Sequence, residues 1–225
     1  MEESIKINKP IHFAFDLIIY IAIMFLIRET SIPNTHYLVT GFLYSGTTLV
    51  VATLQMRRRG ITWKSIGLRK PKSIPKTLLK SGIIFITIII TILTFKFIAD
   101  SFSFFNSTTP NENTGLHASV KDVNYINFSI VLFFVWIQSA LEELLERAFL
   151  ITWLEGLMGN LRFKTAIAIA IQACIWGFRH SYDFSERSVT VALIGIIMGI
   201  AYVKFGRNLW PVIIAHIILN TMSMF

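Results

Sequence analysis

The feature that most constrains this chain is a series of uninterrupted apolar runs, each about as long as a bilayer is thick. A hydrocarbon core of roughly 30 Å needs about 20 residues of helix, and lipid offers the backbone no hydrogen-bond partners. Seven runs fit this description, with bounds near 11–28, 37–56, 81–99, 126–152, 165–182, 189–204 and 209–225. The sequence therefore predicts an all-α fold, a polytopic integral membrane helical bundle of about seven transmembrane helices.

Composition and charge agree with a membrane protein and exclude a nucleic-acid-binding one. Hydrophobic residues make up 54% of the 225 residues and charged residues only 15%, whereas soluble domains carry about 25% charged residues. The single cysteine, Cys174, allows no disulfide within one chain and no cysteine-based metal site. The net charge is +8, but the basic residues cluster in loops between the apolar runs. This pattern favours contact with the lipid bilayer and its anionic head groups, with no nucleic acid as partner.

The distribution of lysine and arginine predicts how the chain is oriented and divided. Nine of the 21 basic residues lie between positions 57 and 80, and cytoplasmic loops of membrane proteins are enriched in such residues. We therefore expect a multi-pass protein of the cell membrane with a cytoplasmic N-terminus and an extracytoplasmic C-terminus. Residues 1–125 are predicted to form N-terminal spans with this basic loop, and 126–225 a helical core within the same membrane domain.

The fourth run contains four charged residues that a membrane span tolerates poorly. Each charge near the centre of a span costs roughly 2.5–3.5 kcal/mol, so pairing is expected. Glu143 and Arg147 are four residues apart on one helical face, in the favourable acid-first order for an ion pair. Glu142 points about 100° away from Glu143 and is predicted to stay outside that pair.

Three neighbouring residues are expected at the margins of this cluster. Glu146 lies one turn nearer the cytoplasm than Glu142, and we expect it to reach interfacial water. Trp153 is predicted to be an interfacial anchor. Arg179 precedes His180 and lies roughly 100° from it on a helix, so it need not face the same cavity.

Two later runs carry polar side chains at one-turn spacing. Trp176 and His180 share a helical face, and so do His216 and Asn220. A carboxylate, two imidazoles and a carboxamide on three helices can converge on one cavity, where they could activate a water and stabilise an oxyanion. The alternatives are a structural histidine at 180 and helix-joining hydrogen bonds from 216 and 220, worth roughly 0.6–2 kcal/mol.

Together these motifs resemble those of the CPBP intramembrane proteases, which include the CAAX prenyl endopeptidases and the bacterial Abi or bacteriocin-immunity-type homologues. The resemblance covers roughly 126–225 and rests, in chain order, on Glu142-Glu143-xxx-Arg147, Trp176-xxx-His180 and His216-xxx-Asn220. Two positions depart from the family pattern. Ala148 stands where the family usually has glycine, and Trp176 where it usually has phenylalanine.

The resemblance implies an intramembrane endopeptidase that cuts a membrane-bound or membrane-associated peptide or protein. It implies that Glu142 is the general base, that His180 positions the attacking water, and that His216 and Asn220 stabilise the oxyanion. The supporting residues would be Glu143, Arg147 and Trp176.

Some alternatives remain open at this point. The motifs require no cofactor, but Glu142, His180 and His216 could instead hold a divalent metal such as Zn²⁺, which takes three protein ligands plus water at catalytic sites. A non-catalytic bacteriocin self-immunity or partner-binding protein on the same scaffold is the main alternative function. A transporter or channel that relays protons or ions through Glu142 and the histidines is another, although no inverted repeat is visible.

Overall fold

The computed structural model describes residues 9–29, 37–105 and 125–224, and these residues form helices joined by short turns. In chain order the elements are α1 (Pro10–Glu29), α2 (Tyr37–Arg58), α3 (Ile74–Phe102), α4 (Tyr125–Glu143), a π-helical segment (Leu144–Leu150), α5 (Ile151–Met158), α6 (Lys164–Ser181), α7 (Glu186–Lys204) and α8 (Trp210–Met222). Because α4, the π-helical segment and α5 follow one another without a break, the described ranges contain seven helical rods. Each rod overlaps one predicted apolar run, so the predicted all-α bundle is confirmed.

Four of these rods are long and apolar enough to cross a membrane, at Pro10–Ile27, Ile74–Phe102, Phe128–Met158 and Glu186–Lys204. A shorter apolar helix covers Trp210–Met222. The outer face of α3 exposes Ile86, Ile90 and Phe97, a surface that lipid can cover and water cannot favourably solvate. The protein is therefore a multi-pass helical membrane protein. Its orientation and the division near residue 125 stay predictions, and the polar stretch 106–124 and both chain ends lie outside the described residues.

Helices α6 and α7 approach closely because small residues face each other between them. A Cβ atom added at Gly177 would lie 2.5 Å from the carbonyl oxygen of Ser188 and 2.8 Å from the Cβ of Ala192. A Cβ at Gly195 would lie 3.1 Å from the Cβ of Ala173. Small residues at such contacts let helices in membranes pack backbone against backbone. The contact fixes the part of α6 that carries Trp176 and His180.

Trp153 of α5 packs into the core against α1, so its predicted place as an interfacial anchor is wrong. Its side chain is fully buried and stacks on Phe149, with ring centroids 4.3 Å apart. The indole N–H donates to Oδ2 of Asp16 at 3.0 Å, and the same oxygen accepts a hydrogen bond from Arg59. The indole N–H is therefore satisfied by a hydrogen bond to α1 and does not require interfacial water.

Candidate active site

The candidate site is built around the π-helical segment, which begins directly after Glu142 and Glu143. In a π-helix each backbone N–H bonds to the carbonyl five residues earlier, so the turn is wider than in an α-helix, and such segments are frequent at functional sites. All seven residues of the segment are buried. The wide turn therefore sends charged side chains into the interior of the bundle towards several neighbouring helices.

Glu143 forms the predicted contact with Arg147 and also binds a histidine. Its Oε2 lies 3.3 Å from Nε of Arg147, and neither side chain has any solvent exposure. Its Oε1 accepts a hydrogen bond from Nδ1 of His216 at 2.9 Å. Nε and Nη1 of the arginine have no aligned hydrogen-bond acceptor, so attraction between charges holds the pair more than hydrogen-bond geometry does. Glu143 thus connects the π-helical segment to α8.

Glu142 has a different environment, because its carboxylate meets neutral donors and an imidazole rather than a guanidinium. Nε2 of Gln138 donates to its Oε1 at 3.2 Å, and Nε1 of Trp176 donates to its Oε2 at 3.4 Å. Nε2 of His216 lies 4.0 Å from Oε2. The side chain is 22% exposed, whereas Glu143 and Glu146 are buried. Of these three glutamates, Glu142 is the one whose side chain is partly exposed.

The hydrogen bonds of the two histidines determine which ring nitrogens carry protons. Nδ1 of His180 lies 2.8 Å from the carbonyl oxygen of Trp176. A carbonyl only accepts, so Nδ1 carries the hydrogen and Nε2 of the neutral ring keeps a lone pair. His216 presents Nδ1 to the Glu143 carboxylate, so this nitrogen also donates. Glu142 interacts electrostatically with both rings.

Trp176 is the side chain that joins the three motifs. Its ring packs edge-on against His180 and His216, with centroids 5.0 Å and 5.8 Å away. The guanidinium of Arg147 lies over its ring at 4.4 Å from the centroid. Together with the indole N–H on Glu142, these contacts place it between α4, the π-helical segment, α6 and α8. A phenylalanine at this position could supply the ring but not the N–H.

Asn220 lies one turn beyond His216 on α8, and its amide is bound to α4. Nδ2 donates to Oγ of Ser139 at 2.9 Å, and that hydroxyl donates in turn to the carbonyl of Val135. An amide nitrogen has two hydrogens, so one N–H of Asn220 is left for another acceptor. The structure thus brings Glu142, Trp176 and His216 into direct contact, with His180 joined through Trp176 and Asn220 held beside Ser139.

A second buried cluster next to the site corrects the sequence-based expectation for Glu146. Glu146 is 1% exposed and does not reach interfacial water. It pairs with Arg179, whose Nη1 lies 2.7 Å from its Oε1, and Nε2 of Gln172 donates to its Oε2 at 3.3 Å. Arg179 therefore faces the interior, because the π-helical segment turns Glu146 towards α6. The sequence signal that could have revealed this pair was an acid, Glu146, within the first motif and a base, Arg179, directly before His180.

The described ranges hold no group of three histidine, cysteine, aspartate or glutamate side chains arranged to bind a metal ion. The nitrogens that face Glu143 and the Trp176 carbonyl are also occupied by those hydrogen bonds. A metal held by Glu142, His180 and His216 therefore stays a prediction.

Comparison with known families identifies the same part of the chain. Residues 124–222 match the family model described as type II CAAX prenyl endopeptidase Rce1-like, a segment that contains all three motifs. The match confirms the predicted resemblance to the CPBP and CAAX protease family. No curated protein and no solved structure gives a significant match to the chain.

Proposed function

We propose that this protein is an intramembrane endopeptidase that hydrolyses a peptide bond of a membrane-associated peptide or protein. The observation that carries the proposal is the environment of Glu142. It is a partly exposed carboxylate inside a helical membrane bundle, held by Gln138 and Trp176 and placed against an imidazole. The family match over residues 124–222 supports the same class of reaction.

In the proposed first step, Glu142 acts as general base on a water molecule. The carboxylate takes one proton, and the water oxygen attacks the carbonyl carbon of the scissile bond. His180 is proposed to orient this water, because Nε2 of its neutral ring can accept a hydrogen bond from the second hydrogen. The Trp176 carbonyl fixes the orientation of that ring through Nδ1.

His216 and Asn220 are proposed to stabilise the negative charge that develops on the substrate oxygen. The Nδ1–H of His216 is used on Glu143, so Nε2 can donate only when the ring is doubly protonated. Two carboxylates flank its ring, with Oε2 of Glu142 at 4.0 Å from Nε2 and Oε1 of Glu143 at 2.9 Å from Nδ1. The second N–H of Asn220 supplies another donor. When the intermediate collapses, the C–N bond breaks and the leaving amine takes the proton from Glu142.

The orientation of the site follows from the basic loop. Nine lysine and arginine residues between positions 57 and 80 are proposed to lie in the cytoplasm, according to the positive-inside rule. This places the N-terminus inside and the C-terminus outside. The substrate would then enter from the cytoplasmic side.

The proposal predicts that the purified protein in liposomes cleaves a farnesylated peptide ending in a CAAX sequence, and that His180→Ala lowers the rate by about 10²-fold. Loss of the ring removes a hydrogen-bond acceptor for water but leaves the Glu142 carboxylate in place. Mass spectrometry of the products gives both the rate and the cleaved bond. The same panel includes unprenylated membrane peptides, because the proposed substrate is a membrane-associated peptide and need not carry a prenyl group.

Two results would count against this assignment. Absence of cleavage across the panel, combined with identical cellular phenotypes of wild type and His180→Ala, would favour the non-catalytic immunity or partner-binding alternative. Cleavage that His180→Ala leaves unchanged would remove His180 from the proposed mechanism.

Chelation is expected to leave the cleavage rate within about twofold of its starting value. In the proposed mechanism the Glu142 carboxylate takes the proton of the water directly, so no metal-bound water is required. The measurement compares activity before and after treatment with EDTA and 1,10-phenanthroline, with metal-depleted buffers throughout. Loss of activity that added Zn²⁺ restores would instead support the metal alternative.

A further inference from the structure

A basic cavity lies at the N-terminal end of α3, outside the candidate active site. It has a volume of about 480 Å³ and is bounded by residues 69–80 on one side and the α7–α8 turn on the other. Five of its lining side chains are basic: Arg69, Lys70, Lys72, Lys76 and Lys80. Among the residues that the structure describes, no acidic one lines it. The cavity therefore concentrates positive charge with nothing of its own to neutralise it.

The five cations are also not neutralised by carboxylates elsewhere in the described part of the chain. The arginine–carboxylate pairs found there use Arg59, Arg147, Arg179 and Arg207. Arg69 instead donates to the carbonyl of Gly206, and Nζ of Lys80 lies 4.9 Å from the centroid of the Phe205 ring. Their charges remain available to an anion.

The two sides of the cavity are connected by hydrogen bonds, and the α7–α8 turn is also bonded to α5. The hydroxyl of Tyr202 donates to the carbonyl of Ile66, and the N–H of Leu209 donates to the carbonyl of Gly67 at 3.1 Å. Arg207 forms two hydrogen bonds to Glu155, at 2.8 Å and 2.6 Å, and this bonding raises the pKa of Arg207 above its usual value. The cavity is thus a built feature rather than a gap between two independent loops.

The surface next to the cavity indicates which anion it suits. Lys76 and Lys80 share a face of α3. On the same face, Ile83 follows about one turn after Lys80, and Ile90 about two turns after Ile83. Both isoleucines are about half exposed, at 49% and 59%. α3 is one of the helices long enough to cross the membrane, so this apolar track runs from the cavity along the lipid-facing surface. A free phosphate would use the cations only, whereas a phospholipid would use both the cations and the track.

We propose that this cavity is a binding site for the phosphate head group of an anionic phospholipid, with an acyl chain lying along the exposed face of α3. The site is separate from the residues proposed for catalysis, so lipid binding is expected whether or not the protein is a protease. Its lysines supply positive charge at the bilayer surface, where basic residues attract the head groups of an anionic membrane.

The test measures binding of a fluorescent phosphatidylglycerol to the full chain in neutral detergent micelles. The competitors are unlabelled phosphatidylglycerol, phosphatidylcholine, inorganic phosphate and an acidic peptide. The double substitution Lys76→Gln with Lys80→Gln is expected to weaken phosphatidylglycerol binding about tenfold or more. The matched control is Arg57→Gln with Lys64→Gln, which removes the same charge from the same basic loop outside the cavity. The control should change binding less than threefold.

The possible outcomes separate the cavity from general electrostatics. Equal weakening by the control pair would mean that the loop attracts lipid only through its total charge, and would overturn the proposal. Competition by inorganic phosphate as strong as that by phosphatidylglycerol would assign the cavity to free phosphate instead. Displacement by an acidic peptide but not by the lipid would assign it to a protein segment. If the double variant does not fold, Ile83→Asn, which alters the track alone, should weaken lipid binding and leave phosphate binding unchanged.

Discussion

Replacing Glu142 with glutamine is expected to lower peptide cleavage by about 10²–10⁴-fold, the contribution typical of a general base. The amide has the size of the carboxylate but cannot take a proton from water. Its oxygen can still accept from the indole of Trp176, as the carboxylate does at 3.4 Å. Because Glu142 is partly exposed and outside the arginine pair, the free energy of unfolding should change by less than about 1 kcal/mol.

The measurement pairs steady-state cleavage with unfolding in mixed micelles for the same preparations. Glu186→Gln is the matched control, since it makes the same chemical change in the first turn of α7. The Glu186 side chain forms no ion pair with the described residues of the candidate site, so both quantities should be unaltered. Glu142→Asp should recover little activity, because the shorter side chain withdraws the carboxylate from Gln138 and Trp176. A Glu142→Gln variant that keeps more than a tenth of the wild-type rate would contradict the general-base role.

The sequence predicts most of the fold because membrane helices are specified locally. Apolar length alone locates the rods, and the four-residue spacing of Glu143 and Arg147 predicts a contact that is present at 3.3 Å. The separation of Glu142 from that pair also follows from helical geometry. These features depend on residues within a few turns of one helix, which the sequence displays directly.

The features that the sequence did not predict all depend on packing between helices. Nothing in the order of residues marks Leu144–Leu150 as π-helical, yet the wider turn decides which way Glu146 points. Arg179 is far from Glu146 along the chain, and only the packing of α6 against the π-helical segment brings them to 2.7 Å. The second partner of Glu143, His216 on α8, is hidden from the sequence for the same reason.

Removing the charge of Arg147 is expected to produce the largest loss of stability in this protein. Arg147→Met should lower the free energy of unfolding by about 3–5 kcal/mol, because it leaves the fully buried Glu143 carboxylate without its cation. Methionine keeps much of the apolar contact with Trp176, so the loss reports the charge rather than a cavity. Unfolding in mixed micelles measures it. Arg207→Met is the control, since that arginine is 36% exposed in its pair with Glu155 and its loss should cost less.

A double variant separates the two tasks that Glu143 performs. Glu143→Gln combined with Arg147→Met removes both buried charges, and it should recover most of the stability lost in Arg147→Met alone. Activity should not recover. A neutral amide at 143 replaces the carboxylate that binds Nδ1 of His216, so His216 loses the partner that orients it as an oxyanion donor, at a cost of about 10²–10³-fold in rate. If stability and cleavage returned together, Glu143 would serve only to balance Arg147, and the proposed role of its hydrogen bond to His216 would be wrong.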